Sequence, residues 1–408
     1  MTGLANTEPI VGAQHPQAQR LQWFLSESTW DPDVVNRRRL ELLMHSSETA
    51  PNGDGVLAID ETGDRKWGSK TAHVGRQYLG SIGKVDNGVV SVSSLWADER
   101  MYYPIEVEPY TPASWFEKGK SDPQFETKPQ IALRLVRDAL ELDVPFRAVV
   151  ADSFYGEHRG FKDRLDEQNV GYVLALKPSH CWWHRQGELG CVEEVALARG
   201  WDEEVPGDWV KLTRTFNDGH TELWWVLEGE AGPYGVDRSQ RLVIVTTDPK
   251  GLPEQTTWYL VTNLPAPESF RQSKLAPATL AEVVRLYGLR VWVEQSYKQV
   301  KQTLGWAQYQ VRSSVAIRRH WQLSLCAFSF CWWAWGQSQP KAVTLGIQAV
   351  QPTSVEEMST VPAAMEGSGE KCAPSTQLAR GVEKSEGMAG AILYAFALLA
   401  SVVGQAPA

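Results

Sequence analysis

The sequence contains few cysteines and no apolar leader segment. Its cysteines form an odd set of five without a CxxC pair, namely Cys181, Cys191, Cys326, Cys331 and Cys372. This argues against a disulfide framework and predicts a reduced, cytoplasmic protein. The first 20 residues lack the apolar run of a signal peptide. Residues 390–404 are the one candidate membrane segment, and they fall short of the roughly 20 residues that a spanning helix needs.

An overall excess of positive charge is also missing. The 40 Lys and Arg are outnumbered by 49 Asp and Glu, which gives a net charge of −9. Because neutralising phosphates requires a basic surface, this total argues against a nucleic-acid partner unless the charge is uneven. It is uneven: Arg285 to Arg319 contains seven basic residues and one acid, and residues 65–84 contain five basic residues and no acid.

Tryptophan, in contrast, is abundant, with 18 residues in the chain. Such rings stack on sugars or bases, or fill large cores. Core burial is the expectation for most of them. The candidates for base stacking lie in the stretch 177–276, and they are Trp182, Trp183, Trp224 and Trp225.

Apolar periodicity and turn residues predict an α/β protein. Residues 1–52 form a helical N-terminal segment, and residues 53–176 contain short strands followed by the order helix, strand, helix, strand. Within them, Asn87-Gly88 predicts the turn of a hairpin between strands at 77–85 and 88–96. The later strands and helices of this part are predicted at 102–109, 128–142, 146–151, 159–168 and 172–176.

The rest of the chain changes character. Residues 177–276 form a β-rich insertion with four predicted strands, at 210–216, 222–227, 241–246 and 258–262. Residues 277–336 are predicted to hold a helix from Thr279 to Thr303, with Glu282 completing a capping box, and then a buried helix at 320–335. Residues 337–408 lose all periodicity and are predicted to be a flexible tail.

Three carboxylates stand out by position. Asp60 and Asp152 each follow a short apolar strand, where side chains reach the rim of a sheet, and Glu294 lies on the later helix. Such a set suits divalent metal ions, and a pair of ions stabilises the attacking and leaving oxygens of a phosphodiester. Glu61 is an alternative to Asp60, but its side chain points to the opposite face of the strand.

The helix with Glu294 carries further polar residues. At about 100° per residue, one arc of about 80° contains Tyr287, Arg290, Glu294, Lys298 and Lys301. The spacing Tyr-x2-Arg-x3-Glu-x6-Lys, with both strand-end aspartates in order, resembles a large branch of bacterial insertion-sequence transposases of the DDE type. The segments IDETGDRKWG, VVADSFYG and YGLRVWVEQSYKQVKQTLGW also resemble that branch, and the resemblance covers roughly residues 56–335.

The resemblance implies an RNase H-like catalytic core with the β-rich insertion between the second Asp and the Glu. It implies that Asp60, Asp152 and Glu294 are catalytic and bind two Mg²⁺ or Mn²⁺ ions, while water and then a 3′-hydroxyl attack phosphodiesters in line. The implied partners are double-stranded DNA, as terminal inverted repeats and target, and a second copy of the chain. The resemblance implies that Tyr287, Arg290 and Lys301 hold the phosphate near the end of the transferred strand. The local positive charge adds four candidate DNA contacts, namely Lys298, Lys66, Lys70 and Arg76.

Other interpretations remain open from the sequence. A Trp-rich carbohydrate-active hydrolase would also use paired carboxylates, and a DNA-binding relic without activity would share the motifs. The cluster His180, Cys181, His184 and Cys191 has a spacing that can bind zinc, although it lacks a second half. Residues 1–52 are short for the end-recognition domain of the family, so we expect an intact catalytic core with reduced competence for transposition.

Overall fold

The computed structural model describes residues 16–183, 189–215, 220–229, 240–269 and 272–338. Among these residues, no helix is both long and apolar enough to cross a membrane. The candidate segment 390–404 and all but the start of the predicted tail, 339–408, lie outside the described residues.

The described part of the predicted helical N-terminal segment, from residue 16, contains two helices. Helix α1 spans Pro16–Ser26 and helix α2 spans Pro32–His45. Helix α2 begins where Asp31 accepts a hydrogen bond from the backbone of Asp33, and the proline in its first turn has no amide proton to leave unpaired. Both helices contact the long helix at the end of the described chain.

A single ten-stranded sheet organises the molecule. Its first strands are β1 (Val56–Arg65), β2 (Gly75–Leu79), β3 (Lys84–Ala97), β4 (Tyr102–Tyr110), β5 (Ala148–Ala151) and β6 (Tyr172–Leu176). The helices among them are α3 (Lys128–Glu141), α4 (Ser153–Gly156) and α5 (Arg159–Glu167). The spatial order β4-β3-β1-β5-β6, antiparallel up to β1 and parallel beyond it, is that of an RNase H-like sheet. The predicted α/β fold class is confirmed.

The predicted hairpin forms, but its turn is not at Asn87-Gly88. The chain reverses at residues 80–83, where Gly83 adopts a left-handed φ of 64°. Gly88 lies inside β3, and a Cβ there would approach the carbonyl oxygen of Asp64 to 2.6 Å. The glycine therefore allows close packing between strands and does not make the turn.

Four strands of the β-rich insertion join the same sheet, and its two other strands pair with each other in a separate two-stranded sheet. It contains β7 (Cys181–Trp183), β8 (Leu189–Cys191), α6 (Val192–Leu197), β9 (Val210–Thr215), β10 (Thr221–Gly229), β11 (Arg241–Thr246) and β12 (Thr257–Thr262). Strand β12 pairs antiparallel with β6, and β11, β10 and β9 follow outward. The four predicted strands are confirmed, and they extend the sheet that carries the two aspartates.

The predicted helix from Thr279 to Thr303 is two helices, α7 (Leu280–Gly288) and α8 (Val291–Gln302). Between them the amides of Arg290 and Val293 donate to carbonyls three residues back, which tightens the turn. Gly288 weakens the helix at this point. Thr279 caps α7 as predicted, but Glu282 binds Arg147 through its side chain.

The last helix, α9 (Ser314–Ser338), is buried as predicted, and tryptophans fill the core around it. Trp306 and Trp321 stack with ring centroids 5.0 Å apart. Trp182, Trp224 and Trp225 are also buried, so the prediction that their rings are open to bases is wrong. The side chain of Trp183 lies outside the described residues.

Candidate active site

The parallel pairing of β1 with β5 brings Asp60 and Asp152 to adjacent positions. The register joins Ile59 to Ala151, and each aspartate is the next residue along the chain. Asp152 caps α4 by accepting a hydrogen bond from the amide of Phe154 at 3.0 Å. Asp60 accepts one from the amide of Glu61 at 2.8 Å. The two carboxylates are thus fixed by backbone on neighbouring strands.

Asp60 does not follow a strand, contrary to the sequence prediction. Strand β1 continues to Arg65 because its antiparallel ladder with β3 extends past the end of the parallel ladder with β5. The aspartate therefore lies within the sheet and is buried. Asp60 and Asp152 therefore meet at the end of the parallel ladder between β1 and β5.

Arg290 connects Asp60 to Glu294. Its Nη2 lies 3.1 Å from Oδ2 of Asp60, and its Nη1 lies 3.1 Å from Oε1 of Glu294. The tight turn between α7 and α8 places this arginine immediately before α8, one helical turn before the glutamate. Its buried Nε has no hydrogen-bond partner among the described residues. The guanidinium thus retains one donor for another acceptor.

The pKa of Asp60 is raised to about 7, because burial raises it more than the nearby Arg290 lowers it, and the charge of Asp152 adds to the rise. Burial also raises the pKa of Tyr287 to about 12. The Tyr287 ring packs edge-on against Trp258 with centroids 5.1 Å apart, within range of the charges of Arg290 and both aspartates. The site therefore contains a negative pair of aspartates that protein cations only partly neutralise.

Glu61 belongs to a separate cluster. Its carboxylate binds the Lys128 ammonium at 2.6 Å and accepts a hydrogen bond from the Tyr155 hydroxyl at 3.0 Å. Consecutive strand residues point to opposite faces, as expected. The geometry favours Asp60 over Glu61 as the partner of Asp152.

Sequence reasoning missed Tyr297. Its hydroxyl is bonded to Ser93 Oγ at 2.6 Å, and its ring is buried where it meets the charge of Asp60. The residue lies on α8, one turn after Glu294 on the side toward the sheet. An aromatic residue beside a motif glutamate is a weak signal, because core packing explains it equally well.

Comparison with known proteins relates this arrangement to a family. Residues 4–190 match the family model "DDE superfamily endonuclease", and residues 127–330 match "Transposase DDE domain". The chain is 35% identical over 303 residues to a probable transposase for insertion sequence element IS701 of Microchaete diplosiphon, which covers 74% of this chain and 70% of that protein.

The chain belongs to the DDE transposases. It is an insertion-sequence transposase, an enzyme that cleaves DNA and transfers its strands, and the family uses divalent metal ions. The comparisons support this function over a carbohydrate-active hydrolase or an inactive relic.

A solved structure was also matched, the cryo-EM structure of a piggyBac transposase synaptic complex with hairpin DNA. The TM-score is 0.36 at 11% sequence identity, and the match covers 86% of this chain. The chain spans about half the length of that transposase, of which 52% is covered.

The basic residues of this transposase divide into two groups. Lys301 binds Asp64 at 2.7 Å, and Lys66 donates to the carbonyl of Ala307 at 3.0 Å with its ammonium 3.3 Å from the Tyr309 ring centroid. Burial lowers the pKa of Lys66 to about 8. The second group consists of exposed side chains, and its members are Lys70, Arg76 and Lys298.

The positive charge between Arg285 and Arg319 is largely neutralised within the transposase. Arg285 binds Glu99 and Arg318 binds Glu108. Arg319 donates to backbone carbonyls of the N-terminal segment. The stretch therefore presents only part of its formal positive charge to a partner.

The two aspartates fit a divalent cation. Carboxylate oxygens are the ligands that Mg²⁺ prefers, and the buried Asp60 and the partly buried Asp152 have charge left to neutralise. Among the described residues, however, no three His, Cys, Asp or Glu side chains are grouped closely enough to hold a metal. Glu294 reaches Asp60 only through Arg290. A zinc site at the cluster around His180 is also not supported, since His180 binds Glu157 and His184 lies outside the described residues.

Proposed function

We propose that Asp60, Asp152 and Glu294 are the catalytic triad of this transposase and that they hold two Mg²⁺ or Mn²⁺ ions. The observation that carries the proposal is the parallel register of β1 and β5, which sets the two aspartates side by side. Glu294 is joined to the same site by the Arg290 bridge. The ions would supply stabilisation of charge on the attacking and leaving oxygens of the phosphodiester.

Arg290 and Tyr287 would bind the phosphate of the DNA strand at this site. The unpartnered Nε of Arg290 supports this role, because a buried donor gains most from a charged acceptor. Tyr287 keeps its proton at neutral pH, since its pKa is about 12, and can donate it in a hydrogen bond.

We further propose that the DNA extends over the exposed Lys70, Arg76 and Lys298. Lys66 and Lys301 are the predicted contacts that must first exchange an internal partner. The DNA substrates would be the terminal inverted repeats and a target duplex, in the cytoplasm. Because an element has two ends, we propose a homodimer with one site for each end, and the mass of the protein bound to end DNA tests this.

The deciding experiment is cleavage of a duplex that contains the terminal inverted repeat flanking the coding region, in the presence of Mg²⁺. The variant Asp152→Asn removes one metal ligand and keeps the side-chain shape. We expect it to cleave about 10³-fold more slowly or worse, with DNA binding retained.

Asp163→Asn is the matched control. It makes the same chemical change on α5, where Asp163 pairs with Arg159. It should cleave as the unmodified protein does. Full activity of Asp152→Asn would refute the assignment of the triad.

A further inference from the structure

The connection between β1 and β2 presents one tryptophan to solvent. The Trp67 side chain is 82% exposed, more than any other large hydrophobic side chain among the described residues. Most tryptophans of the described chain are buried, as the size of their apolar surface favours. The exposed ring leaves a large, flat apolar surface available to a partner.

The backbone on both sides of Trp67 is anchored. The side-chain amide of Asn87 donates to the carbonyls of Lys66 and Gly68, each at 2.8 Å. The amide of Lys66 donates to the carbonyl of Asn87 at 3.0 Å, and its ammonium is fixed near Ala307 and Tyr309. Gly68 adopts a φ of 84°, which a residue with a Cβ rarely adopts. The ring is therefore held outward by a rigid connection.

The surroundings of the ring are positively charged. The Arg65 guanidinium lies 4.3 Å from the Trp67 ring centroid and also pairs with Asp86 at 3.2 Å. Lys70 and Arg76 are exposed in the same connection and the following strand. An aromatic ring backed by a guanidinium, with further basic residues beside it, matches the chemistry of DNA, which combines apolar bases with anionic phosphates.

The strand that carries Asp60 leads directly to this ring. Trp67 is the seventh residue after Asp60 in the sequence. At about 3.3 Å per residue, the two lie at most about 23 Å apart. At about 3.4 Å per base pair, this corresponds to at most about seven base pairs of a bound duplex.

We propose that Trp67, supported by Arg65, packs against the DNA within about seven base pairs of the cleaved phosphate. The proposal rests on the proposed function, since it takes DNA to occupy the site at Asp60. The contact is aromatic and apolar in kind, unlike the contacts of the neighbouring basic side chains. Trp67 thereby positions the DNA and takes no part in the bond exchange.

The first test measures binding of fluorescently labelled end DNA over a range of salt concentrations. Aromatic stacking on a base is worth enough to predict that Trp67→Ala weakens binding about tenfold. Because no charge is lost, the slope of log Kd against log salt should stay unchanged. Lys70→Ala should instead reduce that slope by about one counterion.

Two further variants separate the contact from general damage to the fold. Trp67→Phe keeps an aromatic ring and should recover most of the affinity. Leu197→Ala truncates another exposed side chain, on α6, and should bind as the unmodified protein does. Trp67→Ala that binds with unchanged affinity would overturn the proposal, as would Trp67→Phe that binds as weakly as Trp67→Ala.

The second test locates the contact on the DNA. End duplexes carrying a single 5-iodouracil at successive positions are irradiated with the complete protein, and the crosslinked peptide is identified by mass spectrometry. We expect crosslinks to Trp67 only from positions within about seven base pairs of the cleaved bond. Crosslinks confined to other residues would refute the proposal. If the unmodified protein binds and cleaves no end DNA, the proposed function itself fails, whereas failure of Trp67 alone leaves it intact.

Discussion

Asp60 and Asp152 are held by the sheet, whereas Glu294 is held by a helix. The aspartates occupy adjacent positions on parallel strands, and backbone amides fix both carboxylates. The Glu294 side chain is 62% exposed and contacts the site only through Arg290. The sheet thus fixes the two aspartates of the candidate triad during folding, and the helix leaves the Glu294 side chain free to adjust.

We expect the proposed metal site to form in two steps, first at the two aspartates and then at Glu294. The buried charge of Asp60 beside the partly buried Asp152 costs free energy in the absence of a cation, and Arg290 offsets part of that cost. A divalent ion would compete with the guanidinium for Asp60 and would draw Glu294 toward the aspartates. Variants on the helix, on the sheet and at the arginine between them separate the two contributions.

The largest expected effect is on the helix side. Glu294→Gln should slow cleavage of end DNA about 10³-fold or more, because it removes a proposed metal ligand. Since the side chain is exposed, the free energy of unfolding should change by less than about 0.5 kcal/mol. Urea unfolding and a cleavage assay measure the two quantities. Cleavage at the normal rate would place Glu294 outside the triad.

On the sheet side, Asp60→Asn should stabilise the metal-free protein at pH 8. The pKa of Asp60 is about 7 in the folded protein and near 3.8 in the unfolded chain. The native state therefore holds the proton more tightly, and the contribution of Asp60 to stability falls as pH rises from about 4 to 7. The gain on substitution should approach, at most, roughly 4 kcal/mol at pH 8.

This gain should nearly vanish at pH 4. Urea unfolding at both pH values in the presence of a chelator measures it, with Asp163→Asn as the matched control. Added Mg²⁺ should reduce the gain, because the ion stabilises the ionised aspartate of the unmodified protein. An equal effect of Asp60→Asn at both pH values would contradict the assigned pKa.

Arg290 links the two sides, so its loss should affect both. Arg290→Met should slow cleavage about 10²-fold through the lost phosphate contact. In the metal-free protein it should also raise the pKa of Asp60 further, since it removes the nearest cation. The control is Arg285→Met, which removes an arginine of α7 that pairs with Glu99. Similar cleavage by the two variants would show that Arg290 has no special role.

The smallest effect on cleavage is expected from Glu61→Gln. The substitution weakens the pair with Lys128 on the opposite face and should cost about 1 kcal/mol of stability. Cleavage should fall by less than about tenfold. A loss as large as that of Asp152→Asn would reverse the choice between Asp60 and Glu61.

Much of the fold could be predicted because it depends on local patterns. Alternating and apolar runs located β5, β6 and the four strands of the insertion, and helical spacing located α3 and α9. The pair Asn87-Gly88 led to a wrong turn position because both residues make tertiary contacts. Asn87 anchors the connection between β1 and β2, and Gly88 makes room for β1. A turn signal carries no information on which neighbour a residue contacts.

The site was predictable in its residues but less so in its geometry. The parallel pairing follows from the fold class, so the meeting of Asp60 and Asp152 could be foreseen. The break between α7 and α8 after Gly288 could not be predicted, because a single glycine often lies within an intact helix. The sequence also gives no sign that acids neutralise Arg318 and Lys301. Both basic residues lie on helices, and their partners lie on strands that are distant in the sequence.

The pairing of β12 with β6 has a consequence for any attempt to shorten this enzyme. In the bare RNase H-like order, β6 would be the last strand, but here its outer backbone groups are occupied by the insertion. Deleting residues 177–276 would not leave a minimal nuclease. It would uncover a flat, apolar strand with unsatisfied amides and carbonyls, which invites association with other chains. The insertion thus covers a strand edge at which other chains would otherwise be able to pair.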